Sequence, residues 1–225
     1  MSSYYNEKLS GEKLRRCYEI APPRVQQYLR AEVEYVLEKV KPDDVVLELG
    51  CGYGRILLPL AQKVKRVIGI DNSLASLQLG RQIVGDRANC TLLGMDAAQL
   101  AFHDRFFDCV VCIQNGISVF QVDQQMLVGE SLRVTKTGGR VLFSTYSDRF
   151  WKNRLEWFEL QSREGLLGEI DYDKTQDSVI VCKDGIAATT VRSEQFLALA
   201  AKFNVEAKIV EVDESSLFCE FIPRA

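Results

Sequence analysis

The chain alternates short apolar runs with longer stretches whose apolar positions recur every three or four residues. Short runs of this kind fit strands buried on both faces, and the longer spacing fits helices packed along one side. Residues 45–49, 66–70, 91–95, 109–113 and 141–145 read as five strands. A helix opened by Pro22-Pro23 carries Val25, Tyr28, Leu29, Val33, Val36, Leu37 and Val40 on one stripe, and Lys41-Pro42-Asp43-Asp44 ends it. Residues 56–64 form a second amphipathic run. A third, with Leu74, Leu77 and Ile83, follows Asn72 or Ser73 as its cap, and a fourth runs from an Asp123 cap to about Val134. Strands and helices in alternation predict a doubly wound, mostly parallel α/β sheet. A last helix over 193–203 leads to strands at 205–212 and 217–222, whose short connection, Asp213-Glu214-Ser215-Ser216, forces antiparallel pairing. The count is about seven strands.

Two stretches stand outside this alternation. Residues 1–23 form a polar and aromatic lead segment with Tyr4, Tyr5 and Tyr18, irregular or helical. Residues 148–192 hold a helical run rich in aromatics (Phe150, Trp151, Trp157, Phe158), a break at Gly165 to Ile170, and a β-hairpin around Asp184-Gly185. The whole of 1–225 is expected to be one domain carrying these two additions.

Composition narrows the function. The chain has 225 residues, enough for one substantial core. A net charge of -3 gives no general footprint for nucleic acid, although a local basic patch stays open. No apolar run is long enough to span a bilayer, and the first residues lack a signal-peptide core, so a cytoplasmic protein without membrane contact is expected. Of the seven cysteines, Cys109, Cys112 and Cys219 read as buried thiols. Cys109 and Cys112 form a C-x-x-C within a strand, where residues three apart point to opposite faces. No metal site is expected.

The chemistry centres on Glu48-Leu49-Gly50-Cys51-Gly52-Tyr53-Gly54-Arg55. A strand breaks into alternating glycines and then a helix. Glycine serves a turn that needs positive φ or close approach to a ligand. The turn after a strand is where open α/β sheets bind ligands, and the helix behind it presents unpaired N–H groups. The spacing is G-x-G-x-G, not the G-x-G-x-x-G of dinucleotide folds. On this motif alone, a ligand-free turn and a nicotinamide site remain alternatives. Asp71 closes the second strand, where a carboxylate can accept from both hydroxyls of a ribose. The plainer reading is a helix-start acid, and the position beyond the glycine turn favours ribose. His103, the one histidine, titrates near neutrality when unperturbed. It precedes the fourth strand, at the end of the sheet away from the glycines, and reads as a surface loop residue.

The glycine segment resembles the first motif, E/D-x-G-x-G-x-G, of the class I S-adenosylmethionine-dependent methyltransferases. The resemblance extends over 24–147 and 193–222. It includes Lys136-Thr137-Gly138-Gly139, similar to that family's L-x-P-G-G turn with Thr137 in place of proline. It implies a Rossmann-like fold with a reversed C-terminal strand, and S-adenosylmethionine as cofactor. Glu48, Gly50, Cys51, Gly52 and Gly54 would lie by its methionine half. Asp71 and Asn72 would serve the ribose. Asp96 would accept from the adenine amine between Met95 and Ala97, and carbonyls near Ile113 and Gln114 would face the methionine amino group. Gln114, Asn115 and Ser118 border an acceptor. In that family the lead segment often closes over the cofactor, making Tyr4 and Tyr5 lid candidates, with Tyr5 near the acceptor; a frayed terminus is the other reading. The insertion lies where the fold places a substrate cap, with Trp151, Arg154, Trp157 and Tyr172 as its candidate contacts. A packing layer or a homodimer surface is the alternative. The [DNS]-P-P-[YFW] motif of base-amino methylation, the Pro-Cys of cytosine-C5 enzymes and the metal ligands of catechol-type enzymes are all missing. The expected function is methyl transfer to a small-molecule acceptor by in-line attack on the sulfonium methyl, without an identified base. Protein or RNA methylation, a non-catalytic cofactor-binding module and, more weakly, a dehydrogenase are the competing readings.

Overall fold

The computed structural model describes residues 9–223. Strands β1 (Val45–Leu49), β2 (Arg66–Asp71), β3 (Cys90–Gly94), β4 (Phe107–Cys112) and β5 (Thr135–Tyr146) pair in parallel. A small separate hairpin joins β6 (Ile180–Val181) to β7 (Ala187–Ala188). Strands β8 (Glu206–Val212) and β9 (Ser216–Ile222) complete the main sheet, with β9 antiparallel to both β5 and β8. The seven strands run in the order β3-β2-β1-β4-β5-β9-β8. The chain winds outward from β1 to β3 and then returns on the other side of β1 as β4. The crevice at the carboxyl ends of β1 and β4 is therefore the topological switch point, where such sheets take ligands.

Eight helices are described: α1 (Glu12–Glu19), α2 (Pro23–Lys39), α3 (Leu57–Lys63), α4 (Leu74–Val84), α5 (Gly116–Val119), α6 (Gln124–Val134), α7 (Trp151–Arg163) and α8 (Ser193–Phe203). Alternation along the strands builds two apolar layers. One face sets Leu47, Ile68, Val110, Val141 and Phe221 against Leu127, Val128 and Phe196. The other sets Val46, Val67, Val111, Leu142 and Phe218 against Val36, Leu57, Leu60 and Leu77. Cys112 belongs to the first layer and Cys109 to the second, so the two thiols face opposite ways. Each fully buried side chain of this size contributes about 1.5–3 kcal/mol. Two caps are in place: Ser73 Oγ accepts from Ser76 N, and Asp123 Oδ1 accepts from Gln125 N and Met126 N.

Two local expectations change. Lys136 to Arg140, read as a turn, is drawn into β5, with a register shift opposite Phe107 and Cys109. Glycines make this passage feasible: Gly138 has φ +73°, and its N–H donates to Pro223 O at 3.0 Å. A Cβ on Gly139 would lie 2.7 Å from Asp108 O. The lead segment contributes a real helix, α1, while Tyr4 and Tyr5 fall outside the described residues.

The insertion packs inward. Leu9 and Cys17 from the lead join Phe158, Leu167, Ile170, Ile180, Cys182 and Ile186 in a separate apolar cluster. Trp157 Nε1 donates to Cys17 O at 2.9 Å. Arg154 is buried, donating to Ser178 O at 2.7 Å and Ala188 O at 2.8 Å, with its guanidinium 4.5 Å from the Tyr146 ring centre. Tyr172, a candidate contact of the cap, is exposed and donates to Glu159.

The glycine turn needs a thin strand beneath it. A Cβ on Gly69 of β2 would lie 2.7 Å from Leu57 Cδ1 and 2.9 Å from Cys51 Cβ and Sγ. Gly69→Ala is expected to cost about 1–3 kcal/mol through overpacking, read as a lower urea midpoint at unchanged slope. A midpoint equal to that of wild type would show that Leu57 and Cys51 yield freely.

Candidate functional site

At the end of β1 the chain enters the left-handed region at Gly50 (φ +67°), Gly52 (φ +53°) and Gly54 (φ +84°). The turn is tied to β2 by Cys51 N donating to Ile70 O at 2.9 Å. Asp71 fixes it from the other side: Oδ2 accepts from Gly52 N at 2.8 Å and Oδ1 from Ser73 N at 2.7 Å. Burial raises the Asp71 pKa, and the Ser73 and Gly52 N–H groups pull it back in part. Each carboxylate oxygen keeps a further lone pair for a ligand hydroxyl. Space above the turn is tight. A Cβ on Gly50 would lie 2.5 Å from the Phe120 ring, and one on Gly52 would lie 3.0 Å from Leu14.

A cavity of about 450 Å³ opens here, between the strand ends, α1 and the insertion. Gly50, Gly52, Asp71, Asn72, Met95, Asp96, Ala97, Ile113 and Gln114 line one part of it. Asp96 caps its own turn through Oδ1, which accepts from Ala98 N at 2.8 Å. Leu14, Cys17, Tyr18, Tyr146, Arg154, Trp157, Phe158, Gln161 and Leu167 line the rest. Glu48 and Cys51 line a smaller chamber of about 40 Å³ that shares Gly50, Gly52, Tyr18 and Gln114 with the larger cavity.

Several expected contacts sit elsewhere. Gly54 is on neither wall and packs against Val84 and Leu57. Ser118 is also on neither wall, because the short α5 turns its hydroxyl into the protein. Trp151 lies one helical turn before Arg154, beside the insertion's own apolar cluster rather than the cavity. Asn115 reaches the wall, but its amide is committed: Nδ2 donates to Thr189 O at 2.7 Å, and Oδ1 accepts from Thr145 Oγ1 at 2.8 Å. It therefore clamps the sheet end to the insertion instead of offering polar atoms to an acceptor. Tyr5 is outside the described residues. His103 is exposed, in the loop that enters the amino end of β4, off the cavity wall.

Tyr18 and Leu14 are among the wall residues that sequence reasoning did not place at the site. Their signal was present, since Leu14, Cys17 and Tyr18 have the i, i+3, i+4 spacing of one helix face. Tyr18 OH donates to Gln114 Oε1 at 2.7 Å. Gln114 (φ +55°) and Asn115 (φ +63°) are consecutive left-handed residues without glycine, a sparsely populated arrangement that clusters at functional sites. Ser144 supports them: its Oγ accepts from Gln114 N at 2.8 Å, and its carbonyl accepts from Asn115 N at 3.1 Å.

Burial sets the electrostatics. It pushes the Glu48 carboxyl up to about 8, with Arg55 pulling it down and Asp71 adding to the rise. It also pushes the Cys17 thiol and the Tyr146 phenol up to about 12 and raises Tyr18 further. The Oε2 atom of Glu48 is buried without a hydrogen-bond partner among the described residues.

Residues 46–139 match the model of a family described as a methyltransferase domain. These residues are similar to a methyltransferase domain, and the fold around them is that of the S-adenosylmethionine-dependent methyltransferases. A demethylmenaquinone methyltransferase of Thermobifida fusca is 34% identical over 106 residues, covering 46% of this chain and 44% of that protein. A tRNA N(3)-methylcytidine methyltransferase of Drosophila melanogaster is 27% identical over 145 residues, covering 60% of this chain and 43% of that one. The chain thus spans half or less of the length of these relatives. Among solved structures, a SAM-dependent methyltransferase of Methanosarcina mazei superposes with a TM-score of 0.63 at 17% identity, covering 85% of this chain and 98% of the other.

The cofactor of such a methyltransferase domain is S-adenosylmethionine, and the residues present suit it. Asp71 offers acceptors for a diol, Met95 and Ala97 offer apolar surface beside Asp96, and the unpartnered Glu48 oxygen suits an ammonium.

Glu48 also makes stability depend on pH. Its folded pKa lies above the unfolded value near 4.3, so its unfavourable contribution grows as pH rises from the unfolded value towards about 8. Glu48→Gln is expected to melt higher than wild type at pH 8.5, with the gap closing towards pH 4. A gap independent of pH would show that the carboxyl does not titrate in this range.

Proposed function

We propose that this methyltransferase domain methylates a small-molecule acceptor held in the part of the cavity beneath the insertion. The observation that carries this reading is the make-up of the wall. Leu14 and Tyr18 of α1, Trp157, Phe158 and Gln161 of α7, and Ala188 of β7 line the space beyond the glycine turn. Such a mainly aromatic and apolar wall suits a small molecule better than the charged backbone of RNA. The relative named for demethylmenaquinone supports the small-molecule class, and the net charge of -3 runs against an RNA surface.

The walls suit a flat, partly apolar acceptor, since sites of this size are lined mainly by apolar and aromatic side chains with few polar groups. S-adenosylmethionine, when bound, supplies a methyl group already activated by its sulfonium. The work left to the chain is to align the acceptor and keep water out, which can lower a barrier by about 7–11 kcal/mol. Asp71 and the glycine turn hold one end of the cavity, while Tyr18, Trp157 and Phe158 shape the other. Cys17, Tyr18 and Tyr146 are held protonated at neutral pH by burial, so none of them serves as a base. An acceptor atom that already carries a free lone pair at neutral pH, such as an aromatic amine or ring nitrogen, needs no base from these three.

The reading is tested by titration calorimetry with S-adenosylmethionine, S-adenosylhomocysteine and NAD, followed by labelled methyl transfer to small aromatic amines and to total tRNA. Binding of the first two ligands with transfer to small acceptors is expected. Transfer to tRNA alone would overturn the acceptor class, and cofactor binding without any transfer would favour a non-catalytic module. His103→Ala is expected to leave turnover within about twofold of wild type, because His103 is exposed and lies off the cavity wall.

A further inference from the structure

Residues four apart share a helix face, and residues two apart share a strand face. Tyr28 and Glu32 of α2 are such a pair, and Ser144 and Tyr146 at the end of β5 are another. The two pairs lie opposite one another. Ser144 Oγ donates to Glu32 Oε1 at 2.6 Å, and the Tyr28 and Tyr146 ring centres stand 5.3 Å apart. Ser216 Oγ of β9 donates to the same Glu32 oxygen at 2.7 Å. Glu32 Oε2 has no hydrogen-bond partner among the described residues, and neither has the Tyr28 hydroxyl. Both residues are fully buried, whereas Tyr146 is half-buried and lines the cavity. Tyr28 favours the charged form of both Glu32 and Tyr146, so its hydroxyl lies near each. The other titratable or charged groups near Glu32 are Arg55, ahead of α3, which favours its charge, and Cys112 of β4, a thiol that burial keeps protonated.

Buried polar atoms in native proteins are nearly always paired. Here a carboxylate oxygen without a donor and a hydroxyl without an acceptor sit one helical turn apart, and each is the complement of the other. A phenol both donates and accepts, so it can take a proton at its oxygen while releasing its own. We propose that Glu32 is the proton acceptor of the site, reached from the cavity through Tyr146 and Tyr28. The acceptor class that needs such a route is an aromatic hydroxyl compound, which deepens the small-molecule reading above and rests on it. A hydroxyl must lose its proton as its oxygen takes the methyl group. The oxygen–methyl bond forms, the methyl's bond to sulfur breaks, and that electron pair stays on sulfur. The hydroxyl proton passes to Tyr146 Oη, the proton of Tyr146 to Tyr28 Oη, and the proton of Tyr28 to Glu32 Oε2. The positive charge on sulfur and the negative charge on Glu32 are lost together. Only Tyr146 meets the acceptor, and Tyr28 and Glu32 act through it. Tyr146 begins and ends the step protonated, as a phenol that burial pushes up to about 12 must.

The first test needs no acceptor. The Glu32 carboxyl is titrated by infrared spectroscopy in the full chain, its band identified by its loss in Glu32→Gln. Tyr28→Phe is expected to move that titration to higher pH by about one pH unit or more, the worth of one charge-assisted hydrogen bond. Tyr146→Phe should move it the same way by less, and it decides the matter where Tyr28→Phe does not fold. A titration unmoved in these variants overturns the route, and so does a carboxyl that stays protonated wherever the protein is folded. The second test is labelled methyl transfer to a naphthol and to the naphthylamine of the same shape. Glu32→Gln keeps an oxygen for Ser144 and Ser216 but is no base, and should lower the ratio of naphthol to naphthylamine transfer by about a hundredfold. An unchanged ratio, or transfer by wild type to the amine alone, overturns the route and leaves the small-molecule reading standing. Transfer to neither compound, with transfer to tRNA, removes that reading and the acceptor class with it.

Discussion

The buried Asp71 carboxylate is the tie on which the site depends. It accepts from the N–H of Gly52 on the turn after β1 and from the N–H of Ser73, the cap of α4. One side chain therefore locks the end of β2 to its neighbour's turn and to the helix that follows. Charge-assisted bonds to backbone N–H groups are among the stronger ones a protein makes. Three glycines with positive φ would otherwise be the loosest part of the chain, since glycine loses the most freedom on ordering. Because the turn is held, Leu14 and Phe120 can pack within contact distance of it, and the cavity keeps its shape.

Much of this was legible in the chain because it is written in local patterns. The strand and helix periods, the Ser73 and Asp123 caps, the short connection between β8 and β9, and the acid at the end of β2 are each decided by neighbours in sequence. What was missed depends on residues far apart. Trp151 and Trp157 share an aromatic helical run, and only the docking of α7 against α1 puts Trp157 on the wall and Trp151 in a separate apolar cluster. Asn115 looked available for an acceptor, but its partners, Thr145 and Thr189, belong to β5 and to the far side of the hairpin. The passage of 136–140 into β5 turned on how Gly139 lies against Asp108, which no motif reveals.

A second buried acid shows how deeply the site is rooted in the fold. Glu32 of α2 is fully buried, and its Oε1 accepts from Ser144 Oγ at 2.6 Å and from Ser216 Oγ at 2.7 Å. Burial raises its pKa, and the two hydroxyls pull it back in part. With its hydrogen committed to Glu32, the Ser144 hydroxyl presents its lone pairs to Gln114 N. That is how two consecutive left-handed residues are sustained beside the cavity. The helix that precedes the whole sheet thus sets the backbone at the carboxyl end of β4, through two side chains and without touching the cavity.

These acids run against stability. Glu48, Glu32 and Asp71 all have pKa values raised chiefly by burial, so each costs folding free energy at neutral pH that a neutral side chain would not. A chain selected only to fold would have no reason to keep an unpartnered carboxylate oxygen beside a glycine turn. Unfavourable groups gathered at one end of an otherwise well-packed sheet are the physical mark of a site kept for a ligand, because the ligand restores the pairing that the fold withholds. The same logic separates the two parts of the cavity. Around the turn Glu48 Oε2 and Gln114 Nε2 have no hydrogen-bond partner among the described residues, whereas under the insertion Asn115 and Arg154 are already bonded to backbone and the remaining wall is largely apolar. Polar recognition belongs to the cofactor end, and shape belongs to the acceptor end.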